Sequence, residues 1–376
     1  EEGTVIAARG VPIYGSKDAG RGCWLKLKTV LDKGYKANQI LPTMFTLVKE
    51  NKIVAVMSSN VDDLLYGSLP GGEQEMTDIL AEFSAKQKLD TEFRFCGKEV
   101  RQNDDFSILV KANDNTDKIR PIDIGGLKRL TDKCDGVENT ALRSVVASLA
   151  WVARHVRPTI SFRVSKLQSV AGKATVKDLR ECNKVLEYAL QTSDEGIFYA
   201  SEGIGDWDET VVCSINDASF GNEEVEVTPG VWEENRSQQG VFICLAPADV
   251  VNASRATIHP ISWSSTVIKR VCRAALMAET MAMIKGTEAG ARIRAAIVDM
   301  RGQLDFSQWE ESACSQMGHC WMTDCDSLYE HLVSPKLNAI DNKRLGIDLM
   351  ALRQQVWERG GERTAEVDHS SGDYPR

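Results

Sequence analysis

The spacing of hydrophobic positions changes along the chain and predicts strands and helices in alternation. Runs rich in β-branched residues predict strands, whereas apolar residues three or four positions apart predict amphipathic helices. Residues 52–57 and 64–67 are predicted to be strands around a polar turn, and residues 73–89 place apolar side chains on one helical stripe. Residues 93–100 and 107–111 are predicted to form another hairpin. The first third of the chain is therefore expected to combine hairpins with a helix.

The remainder of the chain continues this mixture. Residues 113–136 are polar and are predicted to be a connection, followed by helices at residues 139–154 and 177–191. The pattern then predicts strands at residues 211–215, 240–246, 257–263 and 319–323, and helices at residues 273–300, 327–333 and 342–359. Strands and helices in this order are typical of an α/β or α+β layered fold.

Length and composition favour a globular protein with more than one domain. The 376 residues suggest two or three domains at about 150 residues each, and 43% hydrophobic with 26% charged residues is ordinary for globular chains. No apolar run approaches the ~18 residues of a membrane helix, and no secretory signal is visible at the start. The ten cysteines are spread singly, which favours reduced thiols in the cytoplasm or nucleus. The sequence therefore predicts an intracellular protein without a membrane contact.

Charge is distributed unevenly along the chain. The net charge of −9 argues against nucleic-acid binding. However, seven basic and two acidic residues lie within 8–36, eight and one within 143–180, and six and two within 269–294. These windows could be solvated helix faces, or they could line a track for phosphates. Charge alone leaves both interpretations open.

Adjacent aspartates occupy the predicted turn after the first strand. Asp62 and Asp63 repel each other, and a divalent cation would relieve that repulsion. Mg²⁺ prefers carboxylate oxygens together with substrate phosphates. Two aspartates in an exposed turn are also common without a cation. The pair is therefore a candidate metal site that needs support from its context.

A second group of acids is dispersed over the second half of the chain. Asp217 follows a predicted strand, Glu279 lies within a predicted helix, and Asp324 ends another strand. If the strands are adjacent, these carboxylates converge and would bind two divalent cations about 4 Å apart. The alternatives are N-caps for the two aspartates and solvent exposure for the glutamate. The segment around Glu279 is almost uncharged, so this acid is expected to face a functional group or to pair with Arg273 or Lys285.

Segments throughout the chain resemble motifs of copia-type retrotransposon Pol polyproteins, in the same order. In the polymerase part, the similar segments are residues 14–21, the Val-Asp-Asp at 61–63, and residues 95–100, 148–153 and 157–160. In the RNase H part, they are residues 216–219, 237–242, 261–265, 278–282 and 323–327. The shared order is more specific than any single motif. The resemblance covers about residues 9–358.

This resemblance implies a fold and a division into domains. Residues 1–112 would be a partial reverse-transcriptase palm, residues 113–200 a linker with thumb or connection helices, and residues 201–360 an RNase H-like mixed sheet flanked by helices. Residues 361–376 would be a polar tail. The implied partner is an RNA–DNA hybrid, and the implied cofactor is Mg²⁺ or Mn²⁺. Trp151 and Trp263 are expected to be core aromatics rather than platforms for bases.

The resemblance also assigns roles to the acids. Asp217, Glu279 and Asp324 would bind the metals for hydrolysis of the RNA strand, with Asp348 as the fourth carboxylate and Asp341 as the second choice. Asp62 and Asp63 would be the polymerase carboxylates. The family takes a third polymerase aspartate from an earlier strand, so polymerisation would require an upstream segment or a partner chain, such as a second copy. The alternative is a non-catalytic relic or a domesticated nucleic-acid-binding module.

Overall fold

The computed structural model describes most of the chain as two compact units. The described residues are 19–32, 34–50, 52–60, 63–70, 72–82, 91–126, 128–228, 231–336, 340–358 and 362–366. The first unit contains residues 1–90 and 292–313, and the second contains residues 91–291 and 314–376. Within the described residues, three sheets and ten α-helices confirm the predicted α/β character. None of the described helices has the length and apolar character needed to cross a membrane.

An antiparallel sheet and two helices form much of the first unit. The strands are β1 (Lys36–Ala37), β2 (Met44–Lys49), β3 (Lys52–Asn60) and β4 (Asp63–Ser68), adjacent in that order, and the helices are α1 (Ala19–Leu31) and α2 (Glu73–Glu82). Alternate positions of β3 are buried, as expected for a sheet with one face on a core. The core contains Leu27, Leu31, Phe45, Leu47, Met57 and Met76. The predicted hairpin is confirmed, with Asn60 paired to Asp63.

A four-stranded sheet and four helices form the first part of the second unit. Strands β5 (Glu92–Phe95), β6 (Lys98–Gln102), β7 (Ile108–Lys111) and β8 (Ile197–Tyr199) are adjacent and antiparallel. The helices are α3 (Asn113–Thr116), α4 (Gly136–His155), α5 (Ser161–Val170) and α6 (Val176–Gln191). Asp135 and Glu138 form a reciprocal capping box that begins α4. The core of this part contains Leu142, Leu149, Ile160, Leu179 and Leu186.

A buried arginine after α4 holds the end of α6. Arg157 is 4% exposed, and its guanidinium donates to the Thr192 carbonyl oxygen at 2.7 Å and to the Thr192 hydroxyl at 2.6 Å. It also pairs with Glu195 at 3.0 Å. The carbonyl groups at the C-terminus of a helix have no helical donors, so the guanidinium supplies one.

Replacing Arg157 by Met is expected to lower the free energy of unfolding by about 3 kcal/mol, because buried acceptors lose their donor. Urea denaturation followed by circular dichroism measures the change. Arg163→Met is the matched control, since Arg163 pairs with Glu181 where both side chains are partly exposed. Its loss should cost less than about 1 kcal/mol. Equal losses for the two variants would contradict the role of Arg157.

The other sheet of the second unit carries the dispersed acids. Its strands are β9 (Thr210–Thr228), β10 (Val231–Pro247), β11 (His259–Val267), β12 (His319–Thr323) and β13 (Glu362–Glu366), in the spatial order β11, β10, β9, β12, β13. Strands β9, β10 and β11 are antiparallel, whereas β12 is parallel to β9 and β13. Helices α9 (Asp326–Val333) and α10 (Lys343–Glu358) also belong to this unit, whereas α7 (Ala275–Met300) and α8 (Trp309–Gln316) contain residues of both units. A core of this part contains Met277, Met283, Trp321, Leu328, Leu345 and Leu349.

A buried hydrogen-bond network joins β9 and β12 to α7. The Ser214 hydroxyl donates to the Gly286 carbonyl oxygen at 3.0 Å and lies 2.7 Å from His319 Nε2. Trp321 Nε1 donates to His319 Nδ1 at 3.1 Å, so Nε2 carries the ring hydrogen and donates to Ser214. A Cβ atom at Gly290 would lie 2.3 Å from His319 Nε2. Glycine at this position therefore lets α7 approach the sheet.

The structure differs from the predicted elements at several points. The predicted strand over residues 93–100 is wrong, because Cys96 and Gly97 have φ values of 49° and 76° and turn the chain between β5 and β6. Strands β9 and β10 are longer than predicted, and α5 is not predicted. Within the predicted polar tail, residues 362–366 form β13 beside β12, a strand that was not predicted. The predicted domain boundaries and the palm and thumb assignments stay predictions.

Candidate metal centre

Three carboxylates from separate elements meet at one end of the second unit's larger sheet. Asp217 lies within β9, Asp324 directly follows β12, and Glu279 lies near the start of α7. Strand β12 pairs in parallel with β9 up to Met322↔Ile215. Continuing this register by two residues brings Asp324 level with Asp217. Parallel pairing therefore explains why residues so distant in sequence lie side by side.

The three carboxylates form an acidic cluster that is small enough to share a cation. One oxygen from each of Asp217, Glu279 and Asp324 lies within 4.8 Å of the other two. The two aspartates are exposed, whereas Glu279 is only 9% exposed. Glu279 Oε1 accepts a hydrogen bond from the Ala218 backbone nitrogen at 3.3 Å, and its buried Oε2 has no hydrogen-bond partner. A buried oxygen without a donor, beside two further carboxylates, fits a divalent cation such as Mg²⁺.

The surroundings of Glu279 favour its neutral form in the absence of a cation. Burial is the largest cause that raises the pKa of Glu279 to about 8, followed by the negative charges of Asp217 and Asp324. The hydrogen bond from Ala218 opposes this shift and lowers the pKa. At neutral pH Glu279 therefore holds a proton, which a bound cation would displace.

The raised pKa of Glu279 predicts a pH-dependent stability. The folded state holds this proton more tightly than the unfolded chain, in which the pKa is 4.5. The stabilisation is therefore fully present below pH 4.5 and is lost as the pH rises through about 8. In EDTA, the contribution of Glu279 to the free energy of unfolding should fall by up to about 1.4 kcal/mol per pH unit across this range.

Urea denaturation at several pH values, with Glu279→Gln beside the original chain, isolates this contribution. The variant should lack the part of the slope that Glu279 causes. Glu288→Gln is the matched control, because Glu288 is an exposed glutamate on the same helix. Identical slopes for Glu279→Gln and the original chain would show that Glu279 does not titrate as described.

The other predicted site residues that the structure describes are not members of the acidic cluster. Asp348, on α10, pairs with Arg270 at 2.6 Å and is not a member of the cluster formed by the described residues. Asp341 is exposed before α10, and it too is not a member. Asp63 is exposed at the start of β4, in the first unit. Asp62 lies outside the described residues. The roles predicted for these four aspartates stay predictions.

The structural alternatives for the three clustered acids do not match their surroundings. Asp217 does not cap a helix and does not end a strand, because β9 continues to Thr228. The N-cap of α9 is Cys325 rather than Asp324. Lys285 Nζ donates to Thr266 Oγ1 at 2.7 Å, and the described ion pairs include none between Glu279 and a lysine or arginine. Among the described residues, no ion pair with a lysine or arginine accounts for the burial of Glu279.

Sequence analysis missed the residues that support the cluster. The network of Ser214, His319 and Trp321 holds β9 and β12 together below Asp217 and Asp324. One signal was present, since Gly286 and Gly290 are one helical turn apart in an alanine-rich helix. Small residues at this spacing indicate a close approach to a neighbouring element. The ion pair between Arg270 and Asp348 had no comparable signal.

Comparison with known proteins gives relatives of one kind. The "Retrovirus-related Pol polyprotein from transposon RE1" of Arabidopsis thaliana is 24% identical over 281 residues, which cover 71% of this chain and 17% of the relative. The polyprotein from transposon RE2 of the same plant is 25% identical over 284 residues, covering 71% of this chain and 18% of the relative. The chain is similar in sequence to retrotransposon Pol polyproteins. The predicted resemblance is thereby confirmed at this level.

The similarity to these polyproteins covers only part of each relative. The chain spans less than a fifth of the length of these curated relatives. No protein-family model matches it. A solution structure of the PFV RNase H domain matches 43% of this chain and 79% of that domain, at 12% identity and a TM-score of 0.22. A structural similarity of that size carries no argument.

Proposed function

We propose that this chain is part of a copia-type retrotransposon Pol polyprotein that hydrolyses the RNA strand of an RNA–DNA hybrid with Mg²⁺ or Mn²⁺. The observation that carries this proposal is the convergence of Asp217, Glu279 and Asp324 within 4.8 Å. Carboxylates gathered at this distance repel one another unless cations or protons intervene. Carboxylates in such a cluster can hold the cations that promote hydrolysis of a phosphodiester.

Each residue of the cluster has a distinct part in this chemistry. Asp217 and Asp324 present exposed carboxylates where a phosphate group can approach. The Ala218 N–H donates a hydrogen bond to Oε1 of Glu279, so Oε2 is the oxygen that would bind a cation. Bound cations would activate water and stabilise the leaving oxygen. Exposed cationic residues of the basic windows, among them Arg143, Arg154, Lys269 and Arg273, would contact phosphates of the hybrid.

A cleavage assay tests the proposal directly. The full chain is incubated with an RNA–DNA hybrid labelled on the RNA strand, in Mg²⁺, in Mn²⁺ and in EDTA. We expect cleavage with either metal and none with EDTA, and no cleavage of the DNA strand. Intact RNA in every condition, for a chain that is folded by circular dichroism, would refute hydrolysis.

One observation favours the second candidate, a module that binds nucleic acid without cleaving it. Asp348, the predicted fourth carboxylate, is engaged by Arg270 at 2.6 Å, which opposes its use as a metal ligand. Such a module would bind the hybrid with an affinity that falls steeply with salt, and it would leave the RNA strand intact. The same cleavage assay, run beside a filter-binding assay at two salt concentrations, separates the two candidates.

We propose that polymerisation requires a further segment or a second chain. Asp63 would act with Asp62 only if an upstream polyprotein segment or a second copy of the chain supplied the remaining carboxylate. The chain alone is therefore expected to lack polymerase activity. The proposed location is the cytoplasm or the nucleus, where the ten cysteines would stay reduced.

A further inference from the structure

A cavity of about 350 Å³ opens beside the acidic cluster, on the sheet face that α5 covers. It is lined by β9, β10 and β11 on one side and by residues of α5 on the other, and Asp217 belongs to both the lining and the cluster. Its volume is at the lower end of the range of about 300 to 1,000 Å³ that is typical of small-molecule sites. We call it the Gly240 pocket.

The pocket is open at Gly240 because this residue has no side chain. Asp217, Gly240 and Ser265 are direct neighbours across β9, β10 and β11. A Cβ atom at Gly240 would have only the Asp217 carbonyl oxygen within 4 Å, at 3.9 Å. The space above Gly240 is therefore open, with a carboxylate on one side and a hydroxyl on the other.

Aromatic rings form the apolar part of the lining. Phe242 and Trp263 lie opposite each other, two residues along the strands, with ring centroids 6.4 Å apart and planes 25° from parallel. The indole nitrogen of Trp263 donates to the Ala153 carbonyl oxygen at 2.7 Å, which fixes the ring. Phe162, on α5, is 46% exposed and forms part of the opposite wall. Flat rings of this kind are suited to a flat ligand.

A buried amide supplies specific hydrogen-bonding groups. Gln238 is 4% exposed, and its side-chain nitrogen donates to the Ser165 hydroxyl at 3.0 Å and to the Ser265 hydroxyl at 2.8 Å. The amide oxygen thus remains as an acceptor, and the Ser265 hydroxyl keeps its own hydrogen to donate. No lysine or arginine occurs among the described residues that line the pocket. The lining therefore offers a donor and an acceptor but no partner for a phosphate.

We infer that the Gly240 pocket binds a nucleobase of the nucleic-acid strand whose phosphate reaches the acidic cluster. A neutral, flat heterocycle with donors and acceptors at its edge matches the aromatic walls, the Gln238 amide and the Ser265 hydroxyl. The phosphate would remain outside, next to Asp217. This inference rests on the proposed function, because it takes a nucleic acid as the substrate and because a phosphate can lie beside these carboxylates only with a bound cation.

Binding of two small probes to the full chain tests the inference. Adenosine 5′-monophosphate carries a base, and ribose 5-phosphate lacks one. Titration calorimetry in Mg²⁺ should give a dissociation constant at least tenfold lower for adenosine 5′-monophosphate. Gly240→Val, which fills the pocket, should reduce this preference to less than threefold. Gly67→Val is the control, because Gly67 is an exposed strand glycine with no atom within 4 Å of its Cβ position, and it should keep the preference.

A second variant covers the case in which Gly240→Val does not fold. Phe162→Ala removes an exposed wall of the pocket and should lower the preference at least threefold. Equal affinities for the two probes in the original chain would overturn the inference. So would an unchanged preference in a folded Gly240→Val or in Phe162→Ala.

Adenosine in EDTA separates this inference from the proposed function, because neither a cation nor hydrolysis is involved. Saturation-transfer NMR should detect adenosine on the original chain and not on Gly240→Val. Adenosine binding without hybrid cleavage would refute the nuclease proposal and support the base-binding pocket. Hybrid cleavage without adenosine binding would refute the base-binding pocket and support the nuclease proposal.

Discussion

Replacing Asp324 by Asn is expected to lower the rate of RNA-strand cleavage about a thousandfold, a loss of about 4 kcal/mol in transition-state stabilisation. The amide keeps the size of the side chain but removes the negative charge that a divalent cation requires. Because Asp324 is exposed at the end of β12, the fold should be unchanged. Single-turnover cleavage of a labelled hybrid measures the rate, and thermal unfolding monitors the fold.

Asp326→Asn is the matched control for this variant. Asp326 is also exposed and lies two residues further on, at the start of α9, but it is not part of the acidic cluster. Its rate should stay within about twofold of the original chain, well under 1 kcal/mol. A titration with Mn²⁺ should show loss of binding for Asp324→Asn only. Unchanged cleavage by a folded Asp324→Asn would remove this aspartate from the site.

Replacing Gly290 by Ala is expected to destabilise the second unit by about 2 to 3 kcal/mol, because the new methyl group overpacks a buried contact. Its Cβ atom would lie 2.3 Å from His319 Nε2 and 2.5 Å from the Ser214 hydroxyl oxygen. Neither atom can retreat easily, since each is held in the network that includes Trp321. Urea denaturation measures the loss.

Gly346→Ala is the matched control for Gly290→Ala. This glycine also lies within a helix, α10, but no atom lies within 4 Å of its Cβ position. Alanine is the better helix former, so this variant should be stabilised by about 0.5 to 1 kcal/mol. The two glycine-to-alanine changes should therefore have opposite signs. A stabilised Gly290→Ala would mean that α7 does not approach the sheet as closely as described.

Local patterns predicted that the three acids converge if the strands that carry the aspartates are adjacent. Asp217 and Asp324 each follow a short apolar run that is typical of a strand, and acids at such positions meet when the strands are neighbours. The predicted strand end at Asp217 is wrong, because β9 continues to Thr228. Glu279 stood out because its helix is otherwise almost uncharged in that region. Each of these signals involves a few residues on one element, so it is visible in the local sequence.

Features that depend on the rotation or docking of whole elements were not predictable. Whether Asp348 faces the cluster depends on how α10 is rotated, and its pairing with Arg270 links residues 78 positions apart. Strand β13 has the sequence E-R-T-A-E, which lacks apolar alternation. Its pairing with β12 is made by the backbone, so no side-chain pattern predicted it. The Gly240 pocket depends on side chains from three strands and on α5, which has a weak amphipathic pattern.

The parallel pairing of β12 with β9 has a consequence for the chain during its own synthesis. The side-chain hydrogen bond across this pairing joins Ser214 to His319 over 105 residues, and contacts of such separation form slowly because chain entropy opposes them. On the ribosome, Asp217 emerges long before Asp324. A nascent chain that ends before β12 therefore lacks Asp324, and the acidic cluster can form only after translation has passed that strand.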